Sequence, residues 1–322
     1  MVKKREFTYD SGDGKAKIHA IAWSPEERPI LGVLQIIHGM VEHIDRYDEF
    51  ARFLAEHGIV VVGNDHLGHG TTAESKEDYG FFHEIDGNQI VLKDIHQLKK
   101  LTCAQYPKVP YFMLGHSMGS FLVRQYLCLL GSGIDGAVIM GTGNPSMASL
   151  RFGKALCWVL GKIFGQHHRS RLIDAVIFGG YQKKFQPCRT PYDWHTKDTK
   201  LVDAYAADER CTFRFTVNGY FNLFTSIEGA SAQENLQRMP KKLPILFASG
   251  WEDPVGNFGK GVEEVRLRFK EVGMEDLTWI LYENDRHEIL NETDRDKVYQ
   301  DIYAWLYVRI QDLTGLRSVR TL

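Results

Sequence analysis

Short apolar runs alternate with longer amphipathic stretches along most of the chain, which is typical of alternating strands and helices. Two runs near the start, 6–9 and 16–23, are joined by a turn rich in Asp, Ser and Gly and predict a β-hairpin. An apolar run at 59–63 predicts a buried strand, and the three- and four-residue apolar spacing of 85–106 predicts a helix. The alternation predicts a mostly parallel sheet with helices on both faces and an antiparallel pair at one edge.

This alternation is interrupted after Pro145 and returns only at Leu243. The interrupting region, 145–235, contains strongly apolar helical stretches such as 150–164. Any single apolar residue in this region is expected to pack on the rim of the sheet. Taken together, these apolar residues favour a lid that covers a hydrophobic substrate. We therefore expect a core domain, 1–144 and 236–322, with an inserted, mainly helical cap at 145–235.

The pentapeptide Gly115-His116-Ser117-Met118-Gly119 lies between an apolar run and an amphipathic helical pattern. It is therefore expected on a sharp turn from a strand into a helix. Such a turn holds a serine hydroxyl exposed in a strained backbone conformation, and the flanking glycines let strand and helix approach closely. A GxSxG pattern alone occurs by chance, but this context makes Ser117 the predicted nucleophile.

A nucleophilic serine needs a base and a carboxylate that orients the base. Asp253 and His287 each follow an apolar strand pattern, so both are expected at the carboxyl edge of the sheet. Glu252 and Asp285 are rival carboxylates. Asp253 is preferred because it follows its strand directly, whereas Asp285 lies too close along the chain to reach the Nδ1 side of His287 easily.

An oxyanion needs two backbone N–H donors, one just after the nucleophile and one from the loop after an early strand. Met118 supplies the first donor. Gly39 follows an early apolar strand and permits a turn that directs the N–H of Met40 inward, so Met40 is the second expected donor. Glu42 and His43 are expected to brace this loop.

Five motifs distributed along the chain carry a resemblance to a known family. They are HGMVEH at 38–43, NDHLGHG at 64–70, GHSMG at 115–119, SGWEDPVG at 249–256 and RHE at 286–288. On these motifs the chain resembles the monoacylglycerol lipase and lysophospholipase branch of the α/β-hydrolases, also described as serine aminopeptidase-like hydrolases. The resemblance spans most of the chain but thins out between 145 and 235, the part that this family uses for substrate selection. Leu67 departs from the arginine that relatives commonly carry in a DHRGHG-like motif, which puts a local salt bridge in doubt.

The resemblance implies an α/β-hydrolase fold with a mostly parallel, eight-stranded sheet. It implies Ser117 as nucleophile, His287 as base, Asp253 as the orienting acid, and the amides of Met40 and Met118 as oxyanion donors. The supporting motif residues that it implies are His38, Gly39, Glu42, His43, Gly115, His116 and Gly119. The implied substrate is a monoacylglycerol, a lysophospholipid or another ester with a hydrophobic acyl group, cleaved through an acyl-enzyme without a cofactor.

Two other functions remain open, because esterases, lipases, thioesterases and peptidases share this fold and triad. An amidase or aminopeptidase would need cap carboxylates to hold a substrate ammonium, and the candidates are Asp193, Asp198, Asp203, Asp208 and Glu209. A non-catalytic ligand-binding protein on a hydrolase scaffold usually lacks a triad member, whereas every predicted member is present in this sequence.

Composition limits the expected partners. The chain has 322 residues, 43% hydrophobic and 25% charged, which fits one α/β domain with an insertion. A net charge of −2 without a basic stripe argues against nucleic acid. No apolar segment reaches the length of a membrane span and the basic amino terminus has no apolar run after it, so we expect a cytoplasmic location with at most transient contact with membrane surfaces.

The histidines and cysteines of the chain predict neither a metal site nor a disulfide framework. The 13 histidines include three pairs, which are His38 with His43, His66 with His69, and His167 with His168. No pair has a third ligand at a defined spacing, so no metal site is predicted. The five cysteines are odd in number and widely scattered, which favours reduced thiols over a disulfide framework.

Overall fold

The computed structural model describes residues 1–315. In this range the strands are, in chain order, Val2–Asp10 (β1), Lys17–Pro25 (β2), Gly32–Ile37 (β3), Ile59–Asn64 (β4), Tyr111–His116 (β5), Gly136–Met140 (β6), Ile245–Gly250 (β7) and Leu277–Tyr282 (β8). They form one eight-stranded sheet in the order β1-β2-β4-β3-β5-β6-β7-β8. Strand β2 runs antiparallel to β1 and β4, and the other neighbouring pairs are parallel. The predicted parallel sheet with an antiparallel edge is therefore confirmed.

The helices connect the strands and cover the sheet. Within residues 1–315 the α-helices are Asp48–Glu56 (α1), Gly87–Gln105 (α2), Met118–Leu130 (α3), Met147–Phe164 (α4), Arg171–Phe178 (α5), Thr199–Ala207 (α6), Val217–Ser231 (α7), Gln233–Leu236 (α8), Lys260–Glu271 (α9) and Arg295–Thr314 (α10). The helix predicted at 85–106 corresponds to α2, which begins and ends within those bounds.

Alternate side chains of a strand point to opposite faces of a sheet, and each face of this sheet carries its own buried apolar layer. In β3, Val33 and Ile37 belong to one layer, and Leu34 and Ile36 belong to the other. The first layer includes residues of α2, α3 and α9, and the second includes residues of α1 and α10. Helices therefore cover both faces of the sheet, as predicted.

Helices α4 to α8 lie between β6 and β7 and form a helical insertion. Four of them begin where a short polar side chain accepts a hydrogen bond from a backbone N–H of the first turn. These capping residues are Ser146 for α4, Ser170 for α5, Asp198 for α6 and Thr216 for α7. Helix α7 packs against both α4 and α3, so the insertion is in direct contact with a helix that covers the sheet.

Arg124 contacts both ends of the helical insertion from its position in α3. Its buried guanidinium donates to Thr142 Oγ1 (3.1 Å) and to the carbonyl oxygen of Gly143 (3.0 Å), where the insertion begins. The guanidinium also donates to the carbonyl oxygen of Ala230 (3.4 Å) and to Ser231 Oγ (3.3 Å), which lie near the end of the insertion. Burial lowers the pKa of Arg124 to about 9. Within residues 1–315 no carboxylate forms an ion pair with this side chain, so its partners are neutral oxygens.

Candidate active site

Ser117 occupies the turn between β5 and α3, with a φ of 51° and a ψ of −118°. Residues other than glycine rarely adopt this conformation. A Cβ at Gly119 would lie 1.9 Å from the carbonyl oxygen of Ile37, and a Cβ at Gly115 would lie 2.3 Å from the carbonyl oxygen of Gly119. Both positions therefore require glycine, and the turn that they permit places Ser117 in the lining of a large cavity.

Asp253 and His287 follow β7 and β8, and they meet at the carboxyl edge of the sheet. The Nδ1 of His287 lies 2.9 Å from Oδ1 of Asp253, which is an ion-pair distance. The ring nitrogen Nδ1 of His287 is not aligned to form a hydrogen bond with this carboxylate oxygen. In substrate-free enzymes such bonds often align only when substrate binds. Asp253 is fully buried and accepts a hydrogen bond from the N–H of Val255 (2.8 Å), which fixes its orientation.

The two rival carboxylates contact other residues. Oδ1 of Asp285 accepts a hydrogen bond from the ammonium of Lys197 at 2.8 Å. Oε1 of Glu252 lies 3.1 Å from the ammonium of Lys184. Of the three candidates, Asp253 is therefore the carboxylate that the fold brings to His287.

The loop after β3 lies beside Ser117. A Cβ at Gly39 would lie 3.1 Å from the Cβ of Ser117 and 2.6 Å from Oε1 of Glu42, so the loop approaches the serine closely only with glycine at this position. Among residues 1–315, neither the N–H of Met40 nor that of Met118 donates to a protein acceptor. Met118 is the first residue of α3, where N–H groups have no acceptor within the helix. Both residues line the cavity with Ser117, and both amides are free to bind an oxygen there.

Glu42 braces this loop. Its carboxylate accepts hydrogen bonds from the N–H of Gly39, from the hydroxyl of Tyr47 (2.9 Å) and from the guanidinium of Arg46 (2.8 Å). Nδ1 of His116 lies 3.0 Å from Oε1 of Glu42. Burial acts to raise the pKa of Glu42, but the contacts with His116 and Arg46 together hold this pKa well below its usual range. Glu42 is thus a buried anion that connects the loop to the turn carrying Ser117.

Three buried histidines, His38, His66 and His69, form a cluster behind the same loop. The ring centroids of His38 and His66 are 4.1 Å apart, and those of His38 and His69 are 5.2 Å apart. Nδ1 of His38 donates to the carbonyl oxygen of Gly39 (2.8 Å), and its Nε2 accepts from the N–H of His66 (3.1 Å). Burial lowers the pKa of His66 to about 3 and that of His69 to about 4. The cluster is therefore uncharged at neutral pH and supports the loop through hydrogen bonds.

Within residues 1–315, two groups of side chains lie close enough to share a metal ion, and the members of both groups already have other partners. In the first group, Nε2 of His43 lies 2.9 Å from Oδ2 of Asp208, with Cys211 alongside. Arg210 donates to both oxygens of Asp208, and burial raises the pKa of the Cys211 thiol, which disfavours the thiolate that a metal requires. The second group surrounds the ammonium of Lys197 and consists of Asp285, Glu292 and Asp294.

A cavity of about 1030 Å³ extends from Ser117 and His287 into the helical insertion. Its apolar wall within the insertion includes Leu156, Ile173, Ile177, Leu223, Phe224 and Ile227. Among the described residues that line it, Arg214 is the one Lys or Arg side chain, and it forms an ion pair with Asp174. The acidic residues of the lining are Glu42, Asp174, Glu264 and Glu288. The cavity is therefore mainly apolar, with more acidic than basic groups at its polar positions.

One part of the site is not predicted by the sequence. Trp194 and His195, from the insertion, line the cavity next to His287. The carbonyl oxygen of His195 accepts the N–H of Glu288 at 2.7 Å, and the ring centroid of Trp194 lies 5.0 Å from that of His287. The sequence around these residues is aromatic, but this composition alone does not indicate a neighbour of His287.

The apolar residues of α4 also differ from the expectation of packing on the sheet. Leu156 lines the cavity and Cys157 is buried, whereas Trp158 is 58% exposed and Phe164 is 60% exposed. The expectation is therefore wrong for the exposed positions. Hydrophobic periodicity does not distinguish a surface that packs on the sheet from one that faces outward.

Comparisons with known proteins agree with this architecture. The chain matches the family model Hydrolase_4, described as serine aminopeptidase, S33, over residues 28–294. It is 35% identical over 298 residues to a monoglyceride lipase from Rattus norvegicus, a match that covers 89% of this chain and 86% of the relative. It is 26% identical over 298 residues to a monoacylglycerol lipase from Mycolicibacterium smegmatis, covering 92% of this chain and 95% of the relative.

A solved structure of similar fold is that of a highly thermostable carboxyl esterase from Bacillus coagulans in complex with glycerol. It is 29% identical, has a TM-score of 0.88, and the match covers 95% of this chain and 99% of that one. The predicted α/β-hydrolase fold is confirmed by this likeness together with the sheet topology. The chain belongs to the Hydrolase_4 family of α/β-hydrolases, the family described as serine aminopeptidase, S33.

Proposed function

We propose that this protein is a serine hydrolase that cleaves monoacylglycerol-type esters, in which a hydrophobic acyl chain is joined to a small uncharged alcohol. The observation that carries the proposal is the position of Ser117, on a strained turn that opens into a large and mainly apolar cavity. The family and its relatives, which are named monoglyceride lipase, monoacylglycerol lipase and carboxyl esterase, make the chain a carboxylic ester hydrolase.

In the proposed mechanism the Ser117 hydroxyl attacks the ester carbonyl carbon while Nε2 of His287 takes its proton. Asp253 keeps the other proton of His287 on Nδ1 and stabilises the imidazolium that forms. The amides of Met40 and Met118 donate to the oxyanion of the tetrahedral intermediate. His287 then gives its proton to the departing alcohol, which leaves the acyl group on Ser117. Water attacks this acyl-enzyme through the same base, and the fatty acid and free serine are released.

The charges around the cavity favour an uncharged head group over a phosphate ester. Arg46 is held by the carboxylates of both Glu42 and Glu288. Arg214 is held by Asp174. Neither guanidinium is free to bind a phosphate. Binding a phosphate group normally requires cationic donors that are not already paired. We therefore favour a monoacylglycerol over a lysophospholipid, and we expect the alcohol hydroxyls to bind the polar groups near His287.

We propose that the helical insertion acts as a cap, with 1–144 and 236–322 as the core domain and 145–235 as the cap. The division of the site supports this proposal. Core segments supply Ser117, Asp253 and His287, whereas cap helices supply the apolar wall of the cavity. The acyl chain is then held by the cap and the reacting ester by the core.

The outer surface of α4 and α5 supports transient contact with a lipid surface. Its large exposed apolar side chains are Phe152, Trp158, Val159, Ile163, Phe164, Leu172 and Val176. Phe152 and Val176 also line the cavity, so the apolar surface continues to the site. No helix within residues 1–315 is long and apolar enough to cross a bilayer. The proposed contact is peripheral and places the cavity next to its lipid substrate. A cytoplasmic location stays a prediction from the sequence.

An aminopeptidase would need free carboxylates that face Ser117 and hold a substrate ammonium. The five candidates from the insertion have other partners, which are Thr190 for Asp193, the first turn of α6 for Asp198, Arg189 for Asp203, Arg210 for Asp208, and Lys76 for Glu209. None of the five is among the described residues that line the cavity. We therefore favour ester hydrolysis over aminopeptidase activity.

The proposal is tested by comparing three substrates with wild type and Ser117→Ala. They are 1-lauroylglycerol, lysophosphatidylcholine with the same acyl chain, and an aminoacyl p-nitroanilide. We expect wild type to prefer lauroylglycerol by about tenfold or more in kcat/KM and Ser117→Ala to be inactive on all three. Preference for the phospholipid would overturn the assignment of the head group. Activity confined to the anilide, or retained by Ser117→Ala, would overturn the proposed reaction.

A further inference from the structure

Residues 193–197 of the helical insertion, here named the strap, are bound to the loop 285–292 that carries His287. The backbone N–H groups of His287 and Glu288 donate to two consecutive carbonyl oxygens of the strap, at 3.4 and 2.7 Å. The guanidinium of Arg286 donates to two further strap carbonyl oxygens. The insertion is thus in direct contact with the backbone that sets the position of His287.

Lys197 is the last residue of the strap and carries a positive charge. Its ammonium lies 2.8 Å from Oδ1 of Asp285 and 3.8 Å from a carboxylate oxygen of each of Glu292 and Asp294. Asp285 and Glu292 have no exposed surface. Glu292 accepts the backbone N–H of Lys197 (3.1 Å) and that of Arg286 (2.8 Å). One cation from the insertion therefore compensates two buried carboxylates that support the loop.

Asp285 also joins the loops that carry Asp253 and His287. Its backbone carbonyl oxygen accepts a hydrogen bond from the N–H of Glu252 at 2.8 Å. Glu252 directly precedes Asp253 in the chain. The side-chain Oδ2 of Asp285 has no hydrogen-bond partner among residues 1–315. Burial raises the pKa of Asp285 to about 6, against the opposing effect of Lys197. The contact with Lys197 therefore helps to keep a buried group charged where the two loops meet.

We propose that Lys197 is a positioning residue for the reaction, because it compensates Asp285 and Glu292 and thereby holds the loop that places His287. This proposal rests on the proposed function of His287 as the base. Removing only the ammonium leaves buried carboxylates without a counter-charge, which costs more than removing both partners of a pair. The loop then adjusts, and small displacements of a catalytic group have large effects on rate.

The test uses p-nitrophenyl acetate, whose acyl group is too short to need the apolar wall, beside p-nitrophenyl laurate. We expect Lys197→Met to lower kcat on both esters by about tenfold or more while KM stays within about twofold. Lys197→Arg keeps the cation and is expected to retain most of the wild-type kcat. The double variant Lys197→Met with Asp285→Asn removes the cation together with the nearer of its two buried carboxylates, so its kcat should exceed that of Lys197→Met.

Lys200→Met is the matched control, because Lys200 is exposed on the same insertion. It is expected to behave like wild type. A raised KM for laurate with an unchanged kcat for acetate would mean that the strap only shapes the acyl site, and would overturn the positioning role. A double variant no better than Lys197→Met would overturn the charge compensation. If Lys197→Met fails to fold, the comparison of Lys197→Arg and the double variant with wild type decides the same question.

His287→Gln in the same assay separates this proposal from the proposed function. If His287→Gln stays active, the proposed mechanism is wrong and the positioning role falls with it. If His287→Gln is inactive while Lys197→Met matches Lys200→Met on both esters, the mechanism stands and only the role of Lys197 is wrong.

Discussion

Oδ1 of Asp253 lies 2.9 Å from Nδ1 of His287, although the two residues follow different strands. This contact arises because β7 and β8 are parallel neighbours, so the loops after them begin at the same edge of the sheet. Ser117 follows β5 at the same edge, two strands away from β7. The sheet therefore sets the relative positions of the three predicted catalytic residues.

Replacing Asp253 with asparagine should remove the charge that orients His287 while keeping the size of the side chain. We expect kcat on a monoacylglycerol to fall by about 10⁴-fold, because the imidazole then adopts the wrong tautomer. The control is Glu252→Gln, since Glu252 pairs with Lys184 rather than with His287. If Glu252→Gln lost this activity and Asp253→Asn retained it, the assignment of the orienting acid to Asp253 would be wrong.

Gly119→Ala should destabilise the protein, because the added Cβ would lie 1.9 Å from the carbonyl oxygen of Ile37. Neither backbone segment can move without disturbing the turn at Ser117, so we expect a loss of about 3 kcal/mol or more in the free energy of unfolding. Urea unfolding measures this loss. Gly180→Ala is the control, since a Cβ there meets no heavy atom within 4 Å. Equal stability of the two variants would contradict the close approach.

The buried histidines should make the folded state sensitive to mild acid. Burial lowers the pKa of His69 to about 4, so the unfolded chain binds a proton below pH of about 6.5 that the folded chain does not bind. The free energy of unfolding should therefore fall as the pH decreases from about 6.5 towards 4, by about 1 kcal/mol per pH unit for this histidine. Other titrating groups contribute to the total, so the variant His69→Gln is compared with wild type.

Urea unfolding at several pH values between 7.5 and 5 makes this comparison. The stability of His69→Gln should depend less steeply on pH than that of wild type. The control is His167→Gln, which removes an exposed histidine. An unchanged pH dependence in His69→Gln would show that this ring does not stay neutral in the folded state.

The exposed apolar face of α4 should determine binding to lipid surfaces. Trp158→Ser combined with Phe164→Ser removes two large exposed side chains of this face. We expect vesicle binding in a flotation assay to fall by about tenfold, while hydrolysis of a soluble short-chain ester is unchanged. Val308→Ser removes an exposed apolar residue from α10 and serves as control. Equal vesicle binding by all three proteins would contradict a lipid contact through α4.

The sequence predicts those parts of the site that depend on local patterns. Ser117, Asp253 and His287 each follow an apolar strand run, and this arrangement alone indicates one edge of a parallel sheet. The contact between Lys197 and Asp285 joins residues 88 positions apart and depends on how the insertion folds back over the sheet. No local pattern carries that information.

The contacts of Arg124 bear on how this enzyme can be recombined with its relatives. The residue belongs to α3, yet its guanidinium is the shared partner of Gly143 and Ala230, which lie near the two junctions of the insertion. A chimera that exchanges the insertion alone keeps this arginine but changes the groups it must satisfy, and an unsatisfied buried guanidinium is costly. The exchangeable unit is therefore the insertion together with its docking position in α3, and crossover points drawn only from the linear sequence would divide it.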